Sequence, residues 1–153
     1  MPDHTGNPVA TRNQVAGTKR FDGGEGAAIS NGRLVFTTKG DNRVWSYDPV
    51  ANALTVLYDD DVQVNGLLNG VDNVGVSKRG VIYVAEDGGN MQIVLVRESG
   101  KAIPVVELTG VTGSEIAGPA FDPSGTRLYF SSQRNPGATY EVSGPWGRFT
   151  TPD

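Results

Sequence analysis

Three stretches of the chain decide how it folds: Arg33-Leu-Val-Phe36, Gly80-Val-Ile-Tyr83 and Arg127-Leu-Tyr-Phe130. Their aromatic residues Phe36, Tyr83 and Phe130 follow one another at two equal intervals of 47 residues. Each stretch comes after a glycine-bearing turn: Ser30-Asn31-Gly32, Ser77-Lys78-Arg79-Gly80 and Asp122-Pro123-Ser124-Gly125. Each turn comes in its turn after a short inner segment, at Gly26 to Ile29, Val74 to Val76 and Ala117 to Phe121. A repeat of about 40 to 50 residues that holds four strands is the pattern of a β-propeller blade. Helical repeats of similar length need amphipathic helices, and no window here keeps a glycine-free apolar stripe at i, i+3, i+4.

Outward from these stretches, further runs rich in β-branched and aromatic residues alternate with glycine, asparagine and aspartate clusters. They are RVWSYD (43–48), ALTVLY (53–58), MQIVLV (91–96), IPVVEL (103–108) and ATYEVS (138–143), beside RLVFTT (33–38), VIYVAE (81–86) and RLYFSS (127–132). Turn chemistry between runs of this length predicts an all-β chain. The expected architecture is a partial β-propeller of about three four-stranded antiparallel blades, at 25–58, 72–108 and 115–146. Only three strands of the last blade can be found. Residues 1–20 read as a polar lead-in with one short strand around Val9 to Val15, and residues 21–153 as the propeller portion.

Charge and composition narrow the chemistry. Lysine plus arginine number 13 against 17 aspartates and glutamates, a net charge of −4, so there is no basic surplus of the kind that binds nucleic acid. Cysteine is absent and His4 is the one histidine, which excludes disulfides, thiol nucleophiles, Cys/His zinc sites and histidine-based triads. Any reaction has to use carboxylates, amides, hydroxyls and cations. No stretch approaches the ~18 apolar residues of a membrane span. Residues 1–20 carry no export signal, so the chain as written reads as cytoplasmic or as lacking its beginning.

Blade topology turns sequence position into location. Residues just before an inner strand and just after the second strand share one rim, and the acidic residues fall there. Glu25, Asp72 and Glu115 precede inner strands, Glu25 and Asp72 being 47 residues apart and Glu115 displaced by a few. Lys39-Gly-Asp41-Asn42, Glu86-Asp87 and Gln133-Arg134-Asn135 follow second strands. Glu25, Asp72, Glu86, Asp87 and Glu115 are thereby candidates for a hard-oxygen metal site on the axis, suited to calcium or magnesium rather than zinc. The other reading is that these carboxylates accept turn N–H groups. Lys39 and Arg134 either bind an anion such as phosphate or pair with the carboxylates. Asp59-Asp60-Asp61 reads as a solvated turn, and Trp45, Tyr47 and Tyr140 as blade packing.

The stretches FDGGEGAAISNGRLVFTTKGDNRVWSYDP, GVDNVGVSKRGVIYVAEDGGNMQIVLV and GSEIAGPAFDPSGTRLYFSSQR, with TYEVSGPW, resemble the C-terminal half of bacterial PhoX-type alkaline phosphatases, over about Thr11 to Trp146. The resemblance implies a six-bladed propeller, export to the periplasm or beyond, and phosphomonoester hydrolysis at an iron and calcium cluster on the axis. It implies that Glu25 of GGEG matches a metal-ligand position, with Asp72, Glu86, Asp87 and Glu115 as further metal-site carboxylates. Arg134 or Lys39 would orient a phosphate ester. The family also uses a cysteine ligand and other groups from its N-terminal half, which this chain lacks. The chain is therefore expected to be inactive alone, completed by an N-terminal propeller half or by a second copy of itself. The reading from another class is a non-catalytic module that binds calcium or a partner through the same acidic rim.

Overall fold

The computed structural model describes residues 3, 5–6, 8–63, 66–111, 113–134 and 136–149; His4 and Asn135 lie outside the described residues. Eleven strands form three antiparallel sheets among the described residues. The first runs in order β1 (Gly24–Ser30), β2 (Arg33–Thr38), β3 (Arg43–Asp48) and β4 (Ala53–Asp59). The second holds β5 (Val71–Val76), β6 (Ile82–Glu86), β7 (Gln92–Val96) and β8 (Ala102–Glu107) in the same order. The third has three strands, β9 (Ile116–Phe121), β10 (Arg127–Ser132) and β11 (Ala138–Ser143), with β10 central. The innermost strand of each sheet lies beside that of the next, β1 against β5 and β5 against β9. The arrangement is an open fan of blades, as the 47-residue repeat predicts.

Local chemistry sets each hairpin. Asn31 and Gly32 both have positive φ, +48° and +77°, and Ser30 pairs directly with Arg33, the two-residue turn that matches strand twist. Between β9 and β10, the Asp122 carboxylate accepts the N–H groups of Thr126 at 2.8 Å and Arg127 at 3.0 Å and the Ser124 hydroxyl at 2.5 Å. The hydroxyl and the two N–H groups hold its pKa down to about 2.

The core lies between sheets, in two layers. Val35, Val44 and Tyr58 of the first sheet pack on Val71, Ile82, Val84, Val94 and Val96 of the second. The opposite face of the second, Tyr83, Ala85, Ile93 and Leu95, packs on Ile116, Leu128 and Phe130 of the third and on Trp146, which starts a 3-10 turn, Trp146–Arg148. Sandwiched on both sides, β6 and β7 are buried at every residue, whereas β11 alternates between half-buried and exposed.

The short strand expected around Val9 to Val15 is a 3-10 turn instead, Thr11–Asn13. No neighbouring strand offers this segment a ladder. Its backbone closes locally, Asn13 N–H on Ala10 O and Gln14 N–H on Thr11 O, and the Gln14 amide donates to Val9 O.

At the axis the inner strands approach backbone to backbone. A Cβ on Gly26 would stand 2.5 Å from Val74 N and 2.8 Å from Asp72 O. Gly26→Ala is expected to lower unfolding free energy in urea by about 1–3 kcal/mol through overpacking. Gly24→Ala, where a Cβ meets open space, should stay within about 0.5 kcal/mol. Because the folded pKa of Asp122 lies below its unfolded value, its contribution is present above the ordinary aspartate range and disappears as pH falls toward 2. Acid titrations of thermal midpoint should show a shallower loss over that window in Asp122→Asn than in the unsubstituted chain.

Candidate axial carboxylate site

One backbone hydrogen bond recurs where each second strand ends: Lys39 N–H on Gly23 O at 2.7 Å, Asp87 N–H on Gly70 O at 2.9 Å and Gln133 N–H on Glu115 O at 3.1 Å. Lys39, Asp87 and Gln133 are therefore equivalent positions. Glu25 and Asp72 lie two residues beyond their glycines, Gly23 and Gly70, while Glu115 takes the place of the glycine itself. That is the structural content of the displacement seen in the sequence. The register between inner and second strand also slips between Gly24 and Ala27, and between Val71 and Val74, so Glu25 and Asp72 sit on bulges, which re-aim side chains.

Side chains fix the rims of neighbouring sheets to each other. The Thr37 hydroxyl donates to the Asp72 carbonyl and accepts Gly26 N–H at 2.9 Å. Asn42 Oδ1 accepts Gly70 N–H at 2.8 Å, and Asn73 Oδ1 accepts Gly118 N–H at 2.7 Å. Asn73 also donates to Asp72 Oδ1 at 2.5 Å, orienting that carboxylate.

Within this frame Asp72, Asp87 and Glu115 bring one carboxylate oxygen each within 4.8 Å of one another. Lys39 reaches across from the first sheet, bonded to Asp87 and 3.7 Å from Asp72. Arg134 Nη2 lies 3.1 Å from Glu115 Oε1, and its backbone N–H rests on Ser114 Oγ at 2.9 Å. Glu115 is only 8% exposed, while the Lys39 and Arg134 side chains are 36% and 53% exposed. The hydrogen bond from Lys39 holds the Asp87 pKa low, and the same bond raises that of Lys39. Glu115 shares a hydrogen bond with Asp87, and that bond together with burial raises its pKa.

Of the residues expected to converge, Asp72, Asp87, Glu115, Lys39 and Arg134 do. Glu25 is exposed at the open edge of β1 and acts on Lys39 through its charge. Glu86 is fully buried and turned to structure: one oxygen accepts Asn69 N–H and the other Gln92 N–H, each at 2.9 Å. Its burial raises its pKa. The triple aspartate works as a turn and an ion pair, with Asp59 accepting Asp61 N–H and standing 2.8 Å from Arg43. Thr37 and Asn73 escaped the sequence reading, which placed Asn42 on the rim without a role. The signal for the two asparagines was their place beside an acidic residue, in Asp41-Asn42 and Asp72-Asn73; Thr37 had none.

Three hard carboxylates suit calcium or magnesium. This chain has no cysteine to offer an iron site. Among the described residues no helix is long and apolar enough to cross a membrane.

No protein-family model matches the chain, and no curated protein matches it. Solved structures do. Virginiamycin B lyase from Staphylococcus aureus matches with a TM-score of 0.57 at 17% identity, over 84% of this chain and 43% of that one. A luciferin-regenerating enzyme matches with a TM-score of 0.57 at 21% identity, over 84% of this chain and 47% of that one. Both are β-propeller folds, so this chain is a partial propeller and spans less than half the length of the structures it matches.

Glu86→Ala is expected to cost about 1–3 kcal/mol in urea unfolding, since it leaves the buried Gln92 N–H and the half-buried Asn69 N–H without their acceptor. Glu86→Gln keeps one carbonyl oxygen for them and should cost less.

Proposed function

We propose that this chain is the C-terminal portion of a metal-dependent phosphatase of the PhoX-like kind, exported in its full form, with Asp72, Asp87 and Glu115 as its share of an axial calcium site. The observation that carries the reading is the convergence of these three carboxylates, from two sheets, between two cations. The ordered sequence resemblance around GGEG, VDN, AEDG and GSE supports it, and so does the likeness in fold to propellers that are enzymes.

Bound calcium would offset the mutual repulsion of the carboxylates and the negative charge of a phosphate ester. Asp72 is held for that role by Asn73, and Asp87 by its place at the end of β6. Lys39 and Arg134 are the partly exposed cations beside the carboxylates, and with calcium taking over the carboxylates they would turn toward phosphate oxygens. Glu25 adds charge at the open edge.

A second reading has its own observation. Every carboxylate of the cluster already has a cation, Lys39 for Asp72 and Asp87 and Arg134 for Glu115. A non-catalytic module that binds calcium or a partner needs nothing more.

Calorimetric titration with calcium chloride tests the site. One ion per chain is expected, with affinity at least about tenfold weaker in Asp87→Asn, the loss of one charged ligand. Absence of calcium binding at millimolar concentration overturns the site. In a parallel assay with p-nitrophenyl phosphate, the chain alone should turn over little or none. A longer protein that contains this chain should be active with calcium. Calcium binding without turnover in that longer protein selects the non-catalytic module.

A further inference from the structure

Position by position, the wedge between the first and second sheets holds smaller side chains than the wedge between the second and third. Lys39 and Asp87 are equivalent, so four residues earlier Val35 is equivalent to Tyr83, and their partners across the sheet, Ser46 and Leu95, are equivalent to each other. Tyr83 and Leu95 are buried, and the end of their wedge away from the carboxylate rim is closed by Trp146, edge-on to Tyr83 at 6.4 Å and to Phe121 at 5.5 Å. Only about 30 Å³ stays open there. At the corresponding end of the first wedge a recess of about 270 Å³ runs in between Val35, Leu57 and Ile82. Interiors are close-packed, so a gap of this size between two sheets is room for something else.

Ser46 lines the recess as well. It is 7% exposed, and its hydroxyl makes no hydrogen bond among the described residues. A buried hydroxyl without a partner in the chain calls for one from outside it. The mouth supplies further donors. The Asn31 amide stands over Gly80, where a Cβ would be 3.0 Å from its Nδ2, and it too makes no hydrogen bond among the described residues. A second recess, of about 130 Å³, shares Asn31 and Gly80 with the first and brings Arg79 to the mouth. Arg79 holds the Gly147 carbonyl at 3.0 Å and has no carboxylate partner among the described residues. Arg33, on the other side, lies 3.5 Å from Asp48 and 3.6 Å from Glu98. On the opposite rim, by contrast, Lys39, Arg43 and Arg134 are each held by a carboxylate.

We propose that the recess between the first and second sheets binds a small organic anion. Its apolar body lies between Val35, Leu57 and Ile82 with a polar atom on the Ser46 hydroxyl, and its carboxylate or phosphoryl group meets Asn31 and Arg79 at the mouth. Both walls belong to this chain, at the end of the strands away from the axial carboxylates. The site is therefore independent of their chemistry and of whatever continues the propeller on its outer faces.

Backbone amide NMR with benzoate, benzylphosphonate and benzyl alcohol as probes tests it. At least one of the two anions should shift the Asn31, Ser46 and Gly80 amides saturably, and the tighter of them tells carboxylate from phosphoryl recognition. Benzyl alcohol should bind at least about tenfold more weakly, and Arg79→Gln should weaken the anion by about the same factor. Ser46→Leu, which installs the residue found at the equivalent place in the second sheet, should fill the recess and abolish the shifts with the β-sheet circular dichroism spectrum unchanged. The proposal is overturned if neither anion gives saturable shifts at these amides up to about 10 mM, a concentration that would reveal even a weak site. Equal binding of benzyl alcohol overturns it too, as do shifts confined to the rim at Lys39 and Arg134, or undiminished binding by a folded Ser46→Leu chain.

Discussion

The contact on which the rest depends is the one between inner strands. β1 lies so close to β5 that the Gly26 position has room for a hydrogen and no more, and β5 stands in the same relation to β9 through Gly75 and Pro119. Close approach at the axis lets the sheets diverge outward, and the wedge between them is filled by the valines of one layer and the aromatic and branched residues of the other. The same approach brings the ends of the second strands to a common rim, because β2, β6 and β10 each pair with an inner strand. A charge placed there is a few ångströms from the charges of the next sheet.

That proximity has an electrostatic cost which the rim offsets from within. Asp72, Asp87 and Glu115 would repel one another if all were ionised and alone. Lys39 from the first sheet and Arg134 from the third lie on either side of them, so the bonds that neutralise the cluster also tie sheets together. Neutral contacts do the same without charge: Thr37 to the Asp72 carbonyl, Asn42 to Gly70, Asn73 to Gly118. Blade packing and site geometry are thus one set of interactions. A change at Thr37 or Asn73 should be felt both as stability and as a shift of the carboxylate it holds.

The strands were legible because a period of two and a repeat near 47 are both local patterns, although the aromatic alignment is one residue out at its middle member: Val84, not Tyr83, matches Phe36 and Phe130, and Tyr83 faces the third sheet. The rim was legible as a location for the same reason. The fate of each carboxylate was not. Glu86 and Asp87 are adjacent in sequence, and strand alternation sends one into the sheet, where two N–H groups take both its oxygens, and the other to the axis. Glu86 follows Ile82 and Val84 on one face of β6, while the bulge opposite, between Val71 and Val74, re-aims Asp72, and a bulge leaves no mark in composition. The lead-in was misread for a related cause. Val9 to Val15 has strand-forming residues, but a strand exists only by pairing, and propensity does not say whether an edge is within reach.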